Sequence, residues 1–477
     1  MRLTKILICV LTLGLTPTFT LGDDDPFVID PYLQLGKNPA PDSWQLLWHA
    51  ADTDTEWAVE TRHGDVGAWT RSAAPTFRRV AVGTVPPHRV YNVTLSGLEP
   101  GCAFQYRVLK AGQPVFSAEG KGPKRANQAI RYVVVGDCGA GTSEQKPLAR
   151  RILESKPDMV VITGDIVYEY GLVSEYKDKF WNVYNANTTT DEGAPLLRSI
   201  PFVAAPGNHD TDTRDLEKYP DALAYYMYLS QPLNGPLFTE GSPVLPAVTG
   251  PEQNKRAFLE AAGPNFPRMT NFSFNSGNVH WTVIDSNPYV DFTDPAIQDW
   301  VKADLEAAKD AQWRFIAFHH PGLQSAREHF EQQHMRLLSP IFEAGKADAV
   351  FMGHVHNYQR TFPMTFLPDK KGTLLVGGRD GKTVRGRVVN GKWTLDKAFD
   401  GKRSTKPKGV IYIVTGAGGQ KLYNPEQNDD PDSWQKFTDK FRSNVHSITV
   451  ADIDGNTATI RQVTADGTEI DSFQISK

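Results

Sequence analysis

Asp, Asn and His recur at six places where an apolar run stops, and these residue types are better suited to holding metal ions than to nucleophilic attack. The run 131–135 leads into Gly136-Asp137-Cys138-Gly139, and 159–162 into Thr163-Gly164-Asp165-Ile166-Val167-Tyr168. The run 201–205 leads into Gly207-Asn208-His209-Asp210, and 279–284 ends at Asp285. Residues 314–318 precede His319-His320-Pro321, and 349–352 precede Gly353-His354-Val355-His356-Asn357-Tyr358-Gln359-Arg360. Five of the six offer carboxylate, amide or imidazole donors with no thiolate set. That chemistry suits Fe, Mn or Zn with positions left open for phosphate and water. Taken singly, each residue has a plain explanation: Asp or Asn after Gly at a strand end is commonly a turn or cap, and a lone His is commonly an interior imidazole. The coincidence argues otherwise, because each loop follows a separate apolar strand. Asp137, Asp165, Asn208, His319, His354 and His356 have the chemistry a two-metal site requires, with one carboxylate between two ions. Asp285 has no matching ligand motif and reads as structural.

Buried strands that carry such residues at one end gather them at one edge of a sheet, where ligands of open α/β sheets bind. From about residue 129 the pattern is strand, loop, helix. Residues 295–309 predict a helix capped by Asp294, with Pro295 in its first turn and Ile297, Trp300, Val301 and Leu305 on one face. Another helix opens at Ser339-Pro340, and strands return at 410–414, 447–453, 457–462 and 470–475. The fold class is α/β, with two packed mixed sheets flanked by helices. Two stretches, 169–199 and 211–267, read as long irregular loops, and 369–400 reads as an insert with hairpin turns. Ahead of this region, 26–121 reads as an all-β sandwich with strands at 43–48, 56–60, 77–82, 89–95 and 102–109, and 120–125 reads as a linker.

The 477 residues carry a formal net charge of −4, which gives no electrostatic case for a nucleic-acid partner or an acidic membrane surface. Residues 1–22, with Arg2 and Lys5 ahead of an apolar stretch at 6–15, have the layout of a secretory signal peptide and imply a secreted or periplasmic protein. The apolar run is too short to span a bilayer, so no stable membrane insertion is expected. After cleavage only Cys102 and Cys138 remain, and both are expected to be free, mostly buried thiols. Asn92, Asn187 and Asn271 match the glycosylation pattern.

The motifs GDCG, GDIVY, GNHD, the His of FHHP, and GHVHNYQR together resemble those of the purple acid phosphatases, within the calcineurin-like metallophosphoesterases. The stretch 98–108 also resembles the corner of a fibronectin type III domain, with Phe104 where that family usually has Tyr. The resemblance implies a calcineurin-like αββα sandwich at 129–477 behind a fibronectin-like domain. It implies that Asp137, Tyr168 and His356 hold Fe(III), that Asn208, His319 and His354 hold a divalent ion (Fe, Zn or Mn), and that Asp165 bridges them. His209 would face the substrate and supply a hydrogen bond or a proton. His329 would be a second substrate histidine, unless 326–331 is a helix that carries it elsewhere; His320 and His334 are lesser candidates. Asp210 would support the site from behind, and Tyr358 and Arg360 would either orient the His354–His356 loop or pack. The implied activity is hydrolysis of phosphate monoesters, small-molecule substrates, by attack of a metal-bound hydroxide. Alternatives are phosphodiesterase or nucleotide hydrolase activity on the same site, a mononuclear zinc hydrolase, or a non-catalytic phosphate-binding surface protein.

Overall fold

The computed structural model describes residues 25–64, 67–369 and 388–477. The signal-peptide reading at 1–22 and most of the 369–400 insert lie outside the described residues.

Two four-stranded antiparallel sheets make the N-terminal sandwich. One orders Ile29–Gln34, Trp44–Ala51, His88–Leu95 and Thr76–Val80; the other orders Thr70–Arg71, Trp57–His63, Ala103–Lys110 and Gln113–Lys121. Sequence patterning missed the strands at 29–34 and 113–121. The first is interrupted by Pro31, and the second is exposed on most of its positions, so neither shows an alternating apolar face. The strand at 113–121 also takes Gly120 and Lys121 out of the expected linker. Phe104 is buried, and it is Tyr106 whose hydroxyl reaches out of the sandwich, donating to the Arg198 carbonyl at 2.8 Å. Arg78 makes a second tie. Its guanidinium donates to the carbonyls of Ala261, Ala262 (2.7 Å) and Met227 (2.9 Å). Ala261 and Ala262 close the helix Glu252–Ala262, whose last turn contains no basic residue.

Behind the sandwich, two mixed sheets pack face to face. The six-stranded one orders Phe202–Ala204, Met159–Ile162, Ile130–Val135, Ser447–Asp454, Thr457–Thr464 and Glu469–Ser476. The seven-stranded one orders Phe272–Ser276, Val279–Val283, Trp313–Ala317, Ala349–Met352, Ile411–Thr415, Tyr358–Thr361 and Thr438–Arg442. Alternation divides the strand side chains between two cores. Tyr132, Val134, Met159 and Val161 join Trp281, Phe315 and Phe351 between the sheets, with the Tyr132 and Trp281 rings 5.2 Å apart and edge to face. Val133 and Val135 instead meet Leu148 and Ile152 of the helix Gln145–Ser155. The first three strands of the six-stranded sheet run parallel, as do Val279–Val283, Trp313–Ala317, Ala349–Met352 and Ile411–Thr415 in the other. All six signalled loops therefore leave the same edge.

Several local expectations need correction. The stretch 169–199 contains a helical turn Val173–Glu175, a π-helical segment Tyr176–Trp181 and a hairpin of Asn185–Thr190 with Gly193–Pro195. The stretch 211–267 contains helices Ala224–Tyr228 and Glu252–Ala262. Every residue of Ala224–Tyr228 is buried, so it lacks the polar face that marks a helix in sequence. The helix behind Asp294 runs Pro295–Ala307, with the Asp294 carboxylate accepting from Ala296 N at 2.8 Å; Trp300 is only half-buried. Cys102 is exposed, not buried, while Cys138 is buried, and both are free. Asn271 is buried and accepts from Asp285 N at 2.9 Å, so the folded chain offers no glycan site there.

Tyr358 and Arg360 turn away from the signalled edge. Arg360 pairs with Asp471 at 2.7 and 3.2 Å and with Asp439 at 2.8 Å, and the Tyr358 hydroxyl donates to Asp471 at 2.7 Å. Burial pushes the Asp471 carboxyl up, but Arg360 and Tyr358 outweigh it and hold the group below the usual carboxylate range. A depressed folded-state value gives stability that is present above the ordinary carboxylate range and lost as pH falls through the depressed one. Arg360→Met should therefore lower stability by about 3–5 kcal/mol at neutral pH, the cost of stranding a buried charge. The difference from wild type should shrink on acidification. Urea midpoints across pH check this, and equal midpoints at neutral pH would reduce the pair to a bystander.

Candidate metal centre

Sharp turns at the strand ends aim the donors inward. Asp137, Asp165 and His354 all adopt left-handed backbone conformations, with φ of 59°, 51° and 65°. Asp and His are among the few residues besides Gly that populate this region, and such positions cluster at functional sites. Gly207 is required by proximity: a Cβ there would stand 2.0 Å from Asp165 Oδ1. The turn after Phe202–Ala204 can thus lie directly on Asp165, and His209 N donates to Asp165 Oδ1 at 3.0 Å.

Two groups form side by side. In the first, the Tyr168 hydroxyl donates to Asp137 Oδ1 at 3.0 Å and lies 3.3 Å from His356 Nε2, which is itself 3.3 Å from Asp137 Oδ1. His354 N donates to both Asp137 oxygens at 3.1 and 2.9 Å, locking that loop to the carboxylate. In the second, His319 Nε2 stands 3.0 Å from Asp165 Oδ2. Ligand atoms of Asp137, Asp165 and His319 lie within 4.8 Å of one another, as do those of His319, His320 and His354.

The protons point to a cation. His319 Nδ1 meets the Thr163 carbonyl at 2.8 Å and His356 Nδ1 meets the Lys421 carbonyl at 2.8 Å. A carbonyl only accepts, so each ring carries its proton on Nδ1. In the neutral ring, Nε2 then presents a lone pair to a carboxylate. Imidazoles anchored in this way, with the second nitrogen free, are characteristic of metal sites. Asn208 Oδ1 is buried with no hydrogen-bond partner. The donors therefore fit a metal pair. In the bare protein the strain shows as shifted acidities. Burial would raise the Asp165 carboxyl, yet His319 and His209 hold it below the usual range; burial would lower His319, yet Asp165 pushes it up to about 9.

The remaining residues fall around this core. His209 is part-exposed, its ring 4.4 Å from that of Tyr168 and its Nδ1 2.7 Å from the Glu169 carbonyl. His329 lies in a turn with φ of 56°, not on a helix, and its ring sits 4.1 Å from that of His354. Asp210 accepts from Gly207 N at 2.8 Å and Ile166 N at 3.1 Å, tying two of the loops together. Burial first, and the nearby Asp165 charge second, push its carboxyl up to about 7. Both Asp285 oxygens take hydrogen bonds, from Tyr289 at 2.7 Å and Asn287 at 2.9 Å, which makes it a scaffold residue.

Sequence reasoning missed four contributors. Gln332 Oε1 lies 2.8 Å from His354 Nε2, and the Tyr423 ring stacks 4.0 Å from that of His356. Ser286 Oγ accepts from His319 N at 2.9 Å and His320 N at 2.8 Å, so its own proton goes to His320 Nδ1 at 3.2 Å. The Lys421 carbonyl fixes His356. Only Ser286 had a signal, since it follows Asp285 at the end of the fourth apolar run.

Residues 130–358 match the family of calcineurin-like phosphoesterases. With the two-sheet fold and the clustered donors, the match shows that the chain carries a calcineurin-like metallophosphoesterase domain. Within that class its curated relatives are purple acid phosphatases. It is 25% identical to purple acid phosphatase 23 of Arabidopsis thaliana over 370 residues, covering 74% of this chain and 67% of the relative. It is 23% identical to probable inactive purple acid phosphatase 27 of the same plant, covering 78% of this chain and 63% of the relative. The chain thus spans about two thirds of the length of these relatives. The purple acid phosphatase PPD1 of yellow lupin (Lupinus luteus) shares the fold, with a TM-score of 0.61, 16% identity, and coverage of 94% of this chain and 74% of that one. Among the described residues no helix is long and apolar enough to cross a membrane.

Proposed function

We propose that this chain is a binuclear phosphatase acting on phosphate monoesters, with Fe(III) held by Asp137, Tyr168 and His356. A divalent Fe, Zn or Mn would be held by Asn208, His319 and His354, with Asp165 shared between the two. The observation that carries the reading is the convergence of Asp137, Asp165, His319 and His356. Each imidazole is tied through Nδ1 to a carbonyl and directs Nε2 at a carboxylate. Bound there, the ions would neutralise phosphate charge and make water acidic enough to act as a nucleophile. The protein's own part is positional. Asp137 and Asp165 are held in turns only a few residue types accept, and His354 is locked by its backbone to Asp137. His209 keeps Nδ1–H on the Glu169 carbonyl and turns Nε2 toward the Asp165 side, where the doubly protonated ring would supply a hydrogen bond or the leaving-group proton from Nε2–H. His329 borders the same space beside His354 as a second contact for the substrate. The N-terminal residues 1–22 would export the chain to a secreted or periplasmic location, which the N-terminal sequence of the mature protein checks.

The direct test is metal content together with turnover of a panel of monoesters, diesters and nucleotides. Two ions per chain and preference for monoesters support the reading; a single ion, or a preference for diesters, defeats it. His209→Ala should keep both ions while kcat/KM falls roughly 100-fold for poor leaving groups and less for good ones. An equal loss across a leaving-group series would confine His209 to binding phosphate.

A further inference from the structure

The loop that follows the Asp165 turn is held from below by one carboxylate and one ammonium. Glu175 Oε1 accepts from Glu169 N, and Oε2 accepts from Tyr170 N at 3.0 Å and Leu172 N at 2.9 Å. Lys179 Nζ donates to the Tyr168 carbonyl and lies 3.5 Å from Glu175 Oε1. The pair therefore grips both polar ends of the peptide group joining Tyr168 to Glu169. Lys179 is itself anchored, since Gln145 Nε2 donates to its carbonyl at 2.6 Å, and Gln145 also accepts from Gly141 N at 2.8 Å in the Asp137 loop. Capping the short turn Val173–Glu175 would need only the bond to Leu172 N. It leaves the bonds to Glu169 N, Tyr170 N and the Tyr168 carbonyl unexplained.

What the grip fixes is functional on both sides. The Tyr168 side chain runs to Asp137 and His356, and the Glu169 carbonyl takes the Nδ1 proton of His209 at 2.7 Å. Gly171 lets the loop lie flat on the His209 turn: with φ of 66°, a Cβ there would stand 2.7 Å from the His209 carbonyl and 2.8 Å from that of Asp210. From this geometry we infer that Glu175 and Lys179 are positioning residues that set the Tyr168 phenol and the His209 imidazole as one unit, an inference that rests on the roles proposed for those two side chains. Three N–H donors converging on a carboxylate make the charge essential, because a carboxamide would turn an NH2 group toward a backbone N–H.

Glu175→Gln and Lys179→Met, in the full chain, test this. In the unloaded protein, amide exchange at 169–172 should quicken at least about tenfold in Glu175→Gln, while exchange in Val279–Val283 stays as in wild type. In the iron-loaded protein the visible band should move or weaken. kcat should fall about 10- to 100-fold with KM within about threefold, as expected when groups are misplaced and not removed. The loss should be greater for poor leaving groups, as for His209→Ala. Lys179→Met leaves the carboxylate in place and should show the same pattern more weakly; it carries the test if Glu175→Gln does not fold. Unchanged exchange overturns the inference. So does faster exchange with band, kcat and leaving-group dependence all as in wild type. A colourless wild type would instead count against the role of Tyr168 alone. The clamp then stands if Glu175→Gln reproduces the leaving-group dependence of His209→Ala, and falls if it does not.

Discussion

Asp165→Asn should empty both metal positions together and lower turnover at least about a thousandfold, a loss in line with removing the charged groups that organise a two-ion site. In the proposed centre Asp165 is the carboxylate shared by the two ions; its Oδ2 faces His319 Nε2 at 3.0 Å and its Oδ1 receives His209 N at 3.0 Å. Asn is the informative replacement. It tolerates the left-handed backbone at φ of 51° and can still accept from His209 N, so only the charge is lost. Ala would add backbone strain to the same deletion. Metal analysis after dialysis and turnover of an aryl phosphate check the outcome. A variant retaining two tightly bound ions would move the bridging role to another carboxylate, and Asp137, with a ligand atom within 4.8 Å, would be the first candidate.

Tyr168→Phe should give a folded protein that takes up iron without developing the visible band expected of wild type. Phe keeps the ring that packs 4.4 Å from that of His209 and removes only the oxygen shared with Asp137 and His356. In the bare protein that oxygen is a neutral phenol, because burial, and after it the Asp137 charge, hold its pKa well above the ordinary value. A ferric ion is the kind of hard cation that would take a proton's place on it, and the resulting phenolate permits charge transfer in the visible. Loss of the oxygen should therefore also weaken retention of iron in its ferric state. Iron loading, mild oxidation, spectra and metal content decide the matter. A mutant that keeps the band would assign the phenolate elsewhere; Tyr423, stacked on His356, would be the first alternative.

Legibility in the sequence tracked residue chemistry. Asp137, Asp165, Asn208 and the histidines were visible because hard donors at the ends of apolar strands are unusual, and the parallel topology carried them to one edge. Gln332 was invisible because a glutamine in a polar stretch has no distinguishing chemistry until its partner is known. The carbonyls of Thr163 and Lys421, which set the proton positions on His319 and His356, are common to every residue and leave no trace in composition. His329 was a candidate only through the family resemblance, and its turn was missed because the spacing around it suits a helix equally well. Tyr358 and Arg360 sit within the most distinctive motif yet face Asp471, since side chains alternate along the strand Tyr358–Thr361 and the motif cannot tell which face is which.

Arg78 has a consequence for the autonomy of the two halves of the chain. It supplies the positive charge that the end of the helix Glu252–Ala262 lacks, from a strand more than 170 residues earlier. The sandwich is therefore part of that helix's termination, not cargo carried by an independent enzyme. The junction near residues 122–129 marks where topology changes, and it is a poor place to cut. A chain begun there would leave the Ala261, Ala262 and Met227 carbonyls without their donor, and a sandwich borrowed from a relative would serve only if it brought an arginine to the same spot.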